Sequence, residues 1–154
     1  MPNYKAHIGG GVVFFFITLL ITLFYISNVE FTLGIQWLAS CIFGALFPDI
    51  DTKSKIQRFV YIGMLVFLLF LAHQKQSSLF MAVTFLAMVP LIVNHRTLFH
   101  RPIFILFIGL ASATLLTMYQ PQLKIIFFSN ALFFIIGCIS HIFLDKGFKG
   151  VFRV

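Results

Sequence analysis

Acidic residues are what this chain has least of. Glu30, Asp49, Asp51 and Asp145 are the only four among 154 residues, against 11 Lys and Arg. Charged residues of either sign make up 10% of the sequence, far below the roughly 25% of an ordinary soluble domain. With 60% hydrophobic residues, 22 Phe and a mean hydropathy of +1.03, that shortage excludes a water-soluble globular domain. Cysteine is scarce too. Cys41 and Cys138 lie inside apolar segments without a paired spacing, so they read as small buried hydrophobes rather than as a disulfide or a thiolate metal site. The apolar runs are continuous rather than alternating, which excludes a membrane β-barrel. No repeat, soluble domain or low-complexity linker interrupts them. No small-residue cleavage site follows Ile26, so the first apolar run is expected to be a retained helix rather than a signal peptide.

What is present is a series of six apolar stretches: Val12–Ile26, Phe31–Phe47, Phe59–Ala72, Leu79–Val93, Pro102–Tyr119 and Leu123–Leu144. The expected fold is all-α, a multi-pass transmembrane helical bundle of about six segments forming a single domain over residues 1–154. A full span needs roughly 17–25 residues, so the third and fourth stretches are short and read equally as a re-entrant hairpin around Pro90. Counting passes from His7 places the ends of the second, fourth and sixth stretches on the side where the first begins. Lys5, Lys53, Lys55, Arg58, Arg96, Arg101, Lys146, Lys149 and Arg153 fall on that side, and only Lys75 and Lys124 on the other. The positive-inside rule then makes that side cytoplasmic, both termini included. The net charge of +7 is thereby explained by the membrane, and nucleic acid is not expected as a primary partner.

The acids are not scattered. Asp49 and Asp51 follow the second stretch in Phe47-Pro48-Asp49-Ile50-Asp51. Asp145 follows the sixth in His141-Ile142-Phe143-Leu144-Asp145. A carboxylate beside a membrane core is costly and usually functional. His141 and Asp145 are four apart, so on a helix they share one face and can chelate one ion. Pro48 is expected to end the second helix and leave Asp49 and Asp51 in a turn. His95 and His100 bracket four residues; on a continuous helix they would diverge by about 140°, so a break is needed for them to converge. His7 precedes Gly9-Gly10-Gly11, where missing side chains let other helices approach closely. The expected metal ligands are therefore His7, Asp49, Asp51, His95, His100, His141 and Asp145. His73 and Glu30 fall on the opposite side and are not assigned. Seven nitrogen and oxygen donors can hold one or two divalent ions, Zn²⁺ or a similar ion such as Mn²⁺. Arg96 and Arg101 would stand beside that charge, with a geometry suited to phosphate. The residues expected to act in catalysis are Asp49, Asp51, His141 and Arg96.

In this order the four segments resemble the motifs of the membrane-bound, metal-dependent hydrolase family, the YdjM-like, LexA-regulated inner-membrane proteins. They are His7 with its glycines, Phe47-Pro48-Asp49-Ile50-Asp51, His95-Arg96-Thr97-Leu98-Phe99-His100 and His141-Ile142-Phe143-Leu144-Asp145, and the resemblance covers nearly the whole chain. In that family the third motif commonly reads His-Arg-Gly-x-Thr-His-Ser. Thr97, Phe99 and Arg101 depart from it, while both histidines and Arg96 remain. The resemblance implies a metal-dependent hydrolase of the inner membrane. A more distant likeness, to the all-helical zinc-dependent phospholipase C and nuclease group, implies phosphoester chemistry by analogy. Membrane lipids are the expected surroundings and a phosphate-containing molecule the expected substrate. Two other readings compete: a divalent-metal transporter, and a structural protein whose ion staples helix ends together.

Overall fold

The computed structural model describes residues 3–26, 29–50, 55–77, 80–81, 83–84, 88 and 99–148. They are almost wholly helical, as the continuous apolar runs require. In order come α1 (Tyr4–Tyr25), α2 (Phe31–Leu46), a 3₁₀ turn at Phe47–Asp49, α3 (Lys55–His73), α4 (Pro102–Tyr119), a 3₁₀ turn at Pro121–Leu123, and α5 (Lys124–Lys146). The chain divides into two compact units, Met1–Pro48 with His100–Val154, and Asp49–Phe99.

Among the described residues four helices, not six, are long and apolar enough to cross a membrane: Tyr4–Tyr25, Phe31–Asp49 with its 3₁₀ turn, Pro102–Tyr119 and Pro121–Lys146. The third expected span is a shorter apolar helix, Gln57–His73. At 1.5 Å per residue it reaches about 26 Å, short of a hydrocarbon core of about 30 Å. It stops in a turn at Lys75, whose φ of 56° is left-handed. The Gln76 N–H returns to the Leu71 carbonyl at 3.0 Å. Most of the fourth stretch lies outside the described residues; positions 80, 81, 83, 84 and 88 within it are helical.

Local sequence explains the ends of the spanning helices. The first begins earlier than hydropathy suggests, because the Asn3 side chain caps it by accepting from the Ala6 N–H at 3.0 Å. His7 and the three glycines therefore lie inside α1. Pro48 has no N–H to continue α2, and the helix gives way to the 3₁₀ turn. Pro102 sits in the first turn of α4, where a missing N–H costs nothing.

The first unit is organised around α5, which packs against α1, α2 and α4. Contacts fix the directions. Trp37 Nε1 donates to Ser129 Oγ at 2.9 Å, Ser40 Oγ to Asn130 Oδ1 at 3.0 Å, and farther along the His141 ring reaches the Ala45 carbonyl. Residue numbers rise together, so α2 and α5 run parallel. Gly11 lies against Ala45 while Phe15 packs with Trp37 and Phe133, so α1 runs against α2. Ile105 packs with Cys138 and Ile142, and Gly109 against Ile135, so α4 runs against α5. The starts of α1 and α4 and the ends of α2 and α5 consequently share one end of the unit. The counting of passes requires the same of these four helices.

Two glycines make the parallel pair possible. A Cβ on Gly44 would strike the Phe134 carbonyl; one on Gly137 would strike the Cys41 carbonyl and stand 2.8 Å from Ala45 N. The α2 and α5 backbones therefore touch. In a membrane, where lipid tails are as apolar as side chains, such small-residue contact drives association. The hydrogen bonds beside it add less, on average about 0.6 kcal/mol each. Cys41 and Cys138 are buried free thiols in the two clusters flanking this crossing. Outward-facing Leu20, Phe24, Phe107, Met118 and Ile125 are largely exposed, as lipid-facing positions should be.

Gly137→Ala should destabilise the unit by roughly 1–3 kcal/mol through overpacking, read as a lower thermal midpoint in detergent. Gly9→Ala, with nothing within 4 Å of the new methyl group, should show no loss. Equal midpoints for Gly137→Ala and wild type would rule out backbone contact at this crossing.

Candidate metal centre

At the shared end of the first unit four ionisable side chains meet. His7 comes from the start of α1, His100 from the turn entering α4, and His141 and Asp145 from the last turns of α5. His141 Nε2 stands 3.3 Å from Asp145 Oδ2 and His100 Nε2 3.8 Å from the same oxygen. His7 Nε2 stands 3.6 Å from Asp145 Oδ1. All three histidines are buried, and His141 has no exposed surface. Burial here follows from the close helix crossing: Gly137, one turn before His141, brings the α2 backbone within side-chain reach of α5.

The contact that organises the group is His141 Nδ1 to the Ala45 carbonyl oxygen, 2.8 Å. A carbonyl can only accept, so Nδ1 carries a proton and Nε2 is the ring nitrogen turned to Asp145. Ala45 lies in the last turn of α2, where carbonyls lack intrahelical donors. Pro48, by ending α2, helps leave it for His141. Such a carbonyl–histidine pair fixes the tautomer and raises the basicity of metal-bound imidazoles.

These positions suit a cation. With Nδ1 committed to the Ala45 carbonyl, Nε2 is the His141 nitrogen left to face a cation, 3.3 Å from Asp145 Oδ2. The three nitrogen–oxygen separations also exceed the roughly 2.7–2.9 Å of a charge-assisted hydrogen bond. Two ligand atoms on a tetrahedral ion with bonds of about 2.0–2.2 Å lie about 3.3–3.6 Å apart, and two of the observed separations fall there. Ligand atoms of His7, His141 and Asp145 all lie within 4.8 Å of one another. The donor set, imidazole nitrogen and carboxylate oxygen without thiolate, fits Zn²⁺ or Mn²⁺.

Of the residues singled out in the sequence, His7, His100, His141 and Asp145 are thus brought together across as many as 138 positions. Asp49 closes the 3₁₀ turn directly after Pro48 and is the first residue of the other unit. Asp51, His95 and Arg96 lie outside the described residues. Arg101 is exposed at the N-cap of α4, immediately after His100. Glu30 occupies the N-cap position of α2, at the other end of that helix from Ala45. What the sequence reading missed is the Ala45 carbonyl and the glycine crossing behind it. The signal was available as Gly44-Ala45 before Phe47-Pro48 and Gly137 one turn before His141.

His141→Ala should lower bound metal while leaving the helices assembled, since their packing is apolar; metal per chain and helical circular dichroism measure the two. His73→Ala should retain the metal. Full metal occupancy in His141→Ala would remove this residue from the centre.

Neither a curated protein nor a solved structure matches the chain. One family does: its model covers residues 1–149, from the first helix through the His141–Asp145 pair. Four spanning-length apolar helices and that match together make this chain a member of the YdjM inner membrane protein family.

Proposed function

We propose that the protein is a metal-dependent hydrolase embedded in the inner membrane, acting on a phosphoester, such as that of a lipid headgroup, at the cytoplasmic face. The observation that carries this reading is His141, held by the Ala45 carbonyl with Nε2 turned to Asp145 among two further histidines. Zn²⁺ or a similar divalent ion there would polarise a phosphoryl oxygen and lower the pKa of water towards neutrality.

The chain's own residues divide the remaining work. His7, His100, His141 and Asp145 hold the cation. Asp49, Asp51 and His95 are proposed to complete its ligands, with Asp49 or Asp51 accepting the proton of the attacking water. Arg96 is proposed to bind the phosphate, because a guanidinium offers paired donors and cannot ligate a metal. Exposed Arg101 at the positive end of α4 adds to the attraction for an anion. The cytoplasmic assignment rests on the nine basic residues against two.

Transport is the weaker reading. Transport sites usually lie near the midplane at broken helices, whereas this cluster lies at helix ends. The uncharged polar residues within the spans are engaged locally. Ser112 and Thr114 bond their own helix at 2.9 and 2.8 Å, and Ser129 and Asn130 bond α2.

Purified protein should hydrolyse a member of a phospholipid and phosphodiester panel, lose activity with a chelator and regain it with Zn²⁺ or Mn²⁺. Arg96→Ala should lower turnover roughly 10²–10³-fold, the scale of other lost electrostatic donors, with metal content unchanged. Loss of metal in Arg96→Ala would make the residue structural, and full activity in His141→Ala would count against the enzyme.

Topology is tested by thiol labelling of Thr52→Cys and Gln76→Cys; buried Cys41 and Cys138 should stay silent. Position 52 should react only from the cytoplasm and position 76 only from outside. The reverse pattern would move the centre across the membrane.

A further inference from the structure

We infer that the centre holds two ions, with His7 on one, His100 and His141 on the other, and the Asp145 carboxylate bridging them. This rests on the metal-dependent reading above and deepens it. The argument comes from ring planes. An imidazole nitrogen donates through a lone pair lying in the plane of its ring, so two histidines sharing an ion must have planes that meet at that ion. The His7 and His141 rings are stacked, with centroids 3.9 Å apart and planes 15° from parallel. Planes so disposed converge only about 15 Å away, against a metal–nitrogen bond of about 2.0–2.1 Å. An ion placed between the two rings would lie off each plane by most of a bond length. His7 and His141 therefore do not serve one ion.

His100 is disposed differently. Its ring lies 73° from that of His141 with centroids 5.4 Å apart, so the two planes cross nearby and one ion can lie in both. Asp145 divides in the same way. Oδ2 faces His141 and His100 at 3.3 and 3.8 Å, while Oδ1 faces His7 at 3.6 Å. Two independent features, ring orientation and the choice of carboxylate oxygen, thus sort the histidines identically. Stacked imidazoles would set the ions they hold side by side, as in two-metal hydrolytic sites.

The test uses the full-length protein in detergent, stripped with a chelator and reloaded with Mn²⁺. Two equivalents per chain and an exchange-coupled electron paramagnetic resonance spectrum are expected for the wild type. His7→Ala should hold one equivalent and give the six-line spectrum of isolated Mn²⁺. One equivalent with an uncoupled spectrum in the wild type would overturn the pair of ions and leave a single-ion hydrolase standing. No bound metal in the wild type would overturn both readings. Folded His7→Ala that keeps two equivalents, or loses both, would overturn the division of ligands. The wild-type spectrum decides the number of ions by itself should His7→Ala fail to fold.

Discussion

Contact between the α2 and α5 backbones is the constraint on which the rest of the first unit depends. Gly44 and Gly137 leave no side chain between the helices. That closeness puts the Ala45 carbonyl 2.8 Å from His141 Nδ1. Separating the helices by the width of one methyl group would break that bond, release the ring and turn Nε2 away from Asp145. The geometry of the proposed metal centre is therefore set by two residues that donate nothing to it.

The same crossing resolves an electrostatic problem. A carboxylate at the edge of a membrane core is unfavourable without positive charge beside it. Cations held by His7, His100, His141 and Asp145 would balance the acid, with donors from α1, α5 and the turn entering α4. They would also tie the ends of α1, α4 and α5 together, so the proposed metal centre would strengthen the bundle as well. At the far end, Trp37 and Ser40 with Ser129 and Asn130 hold α2 against α5 by ordinary hydrogen bonds. The unit is thus fastened at both ends by different chemistry.

Membership of the YdjM inner membrane protein family sets the compartment and the fold class, and the clustered side chains carry the proposed chemistry. The two rest on separate observations. Spanning helices follow from length and hydropathy alone, whereas the hydrolase reading depends on how three rings and one carboxylate are turned. Placement at helix ends would give the proposed substrate, a phosphoester in the headgroup layer, access without crossing the hydrocarbon. It also gives Arg101, exposed beside buried His100, a position where charge is tolerated.

Much of this was legible in the sequence. Length and hydropathy determined the helical membrane fold, and Pro102–Tyr119 is read to the residue. Pro48 ended α2 because it lacks an N–H. The i, i+4 spacing made His141 and Asp145 neighbours because helical periodicity is local. Among the described residues four helices are of spanning length, and the third stretch, already short in the sequence, is the short helix Gln57–His73. Hydropathy placed the start of α1 too late, because the Asn3 cap draws polar residues into the helix. Tertiary structure alone decided that His7 stacks on His141, that Asp145 divides its oxygens between histidines, and that a backbone carbonyl selects the His141 tautomer. Those features depend on ring orientation and interhelical distance. Residue spacing along one helix constrains neither, because both are set by how closely two other helices approach.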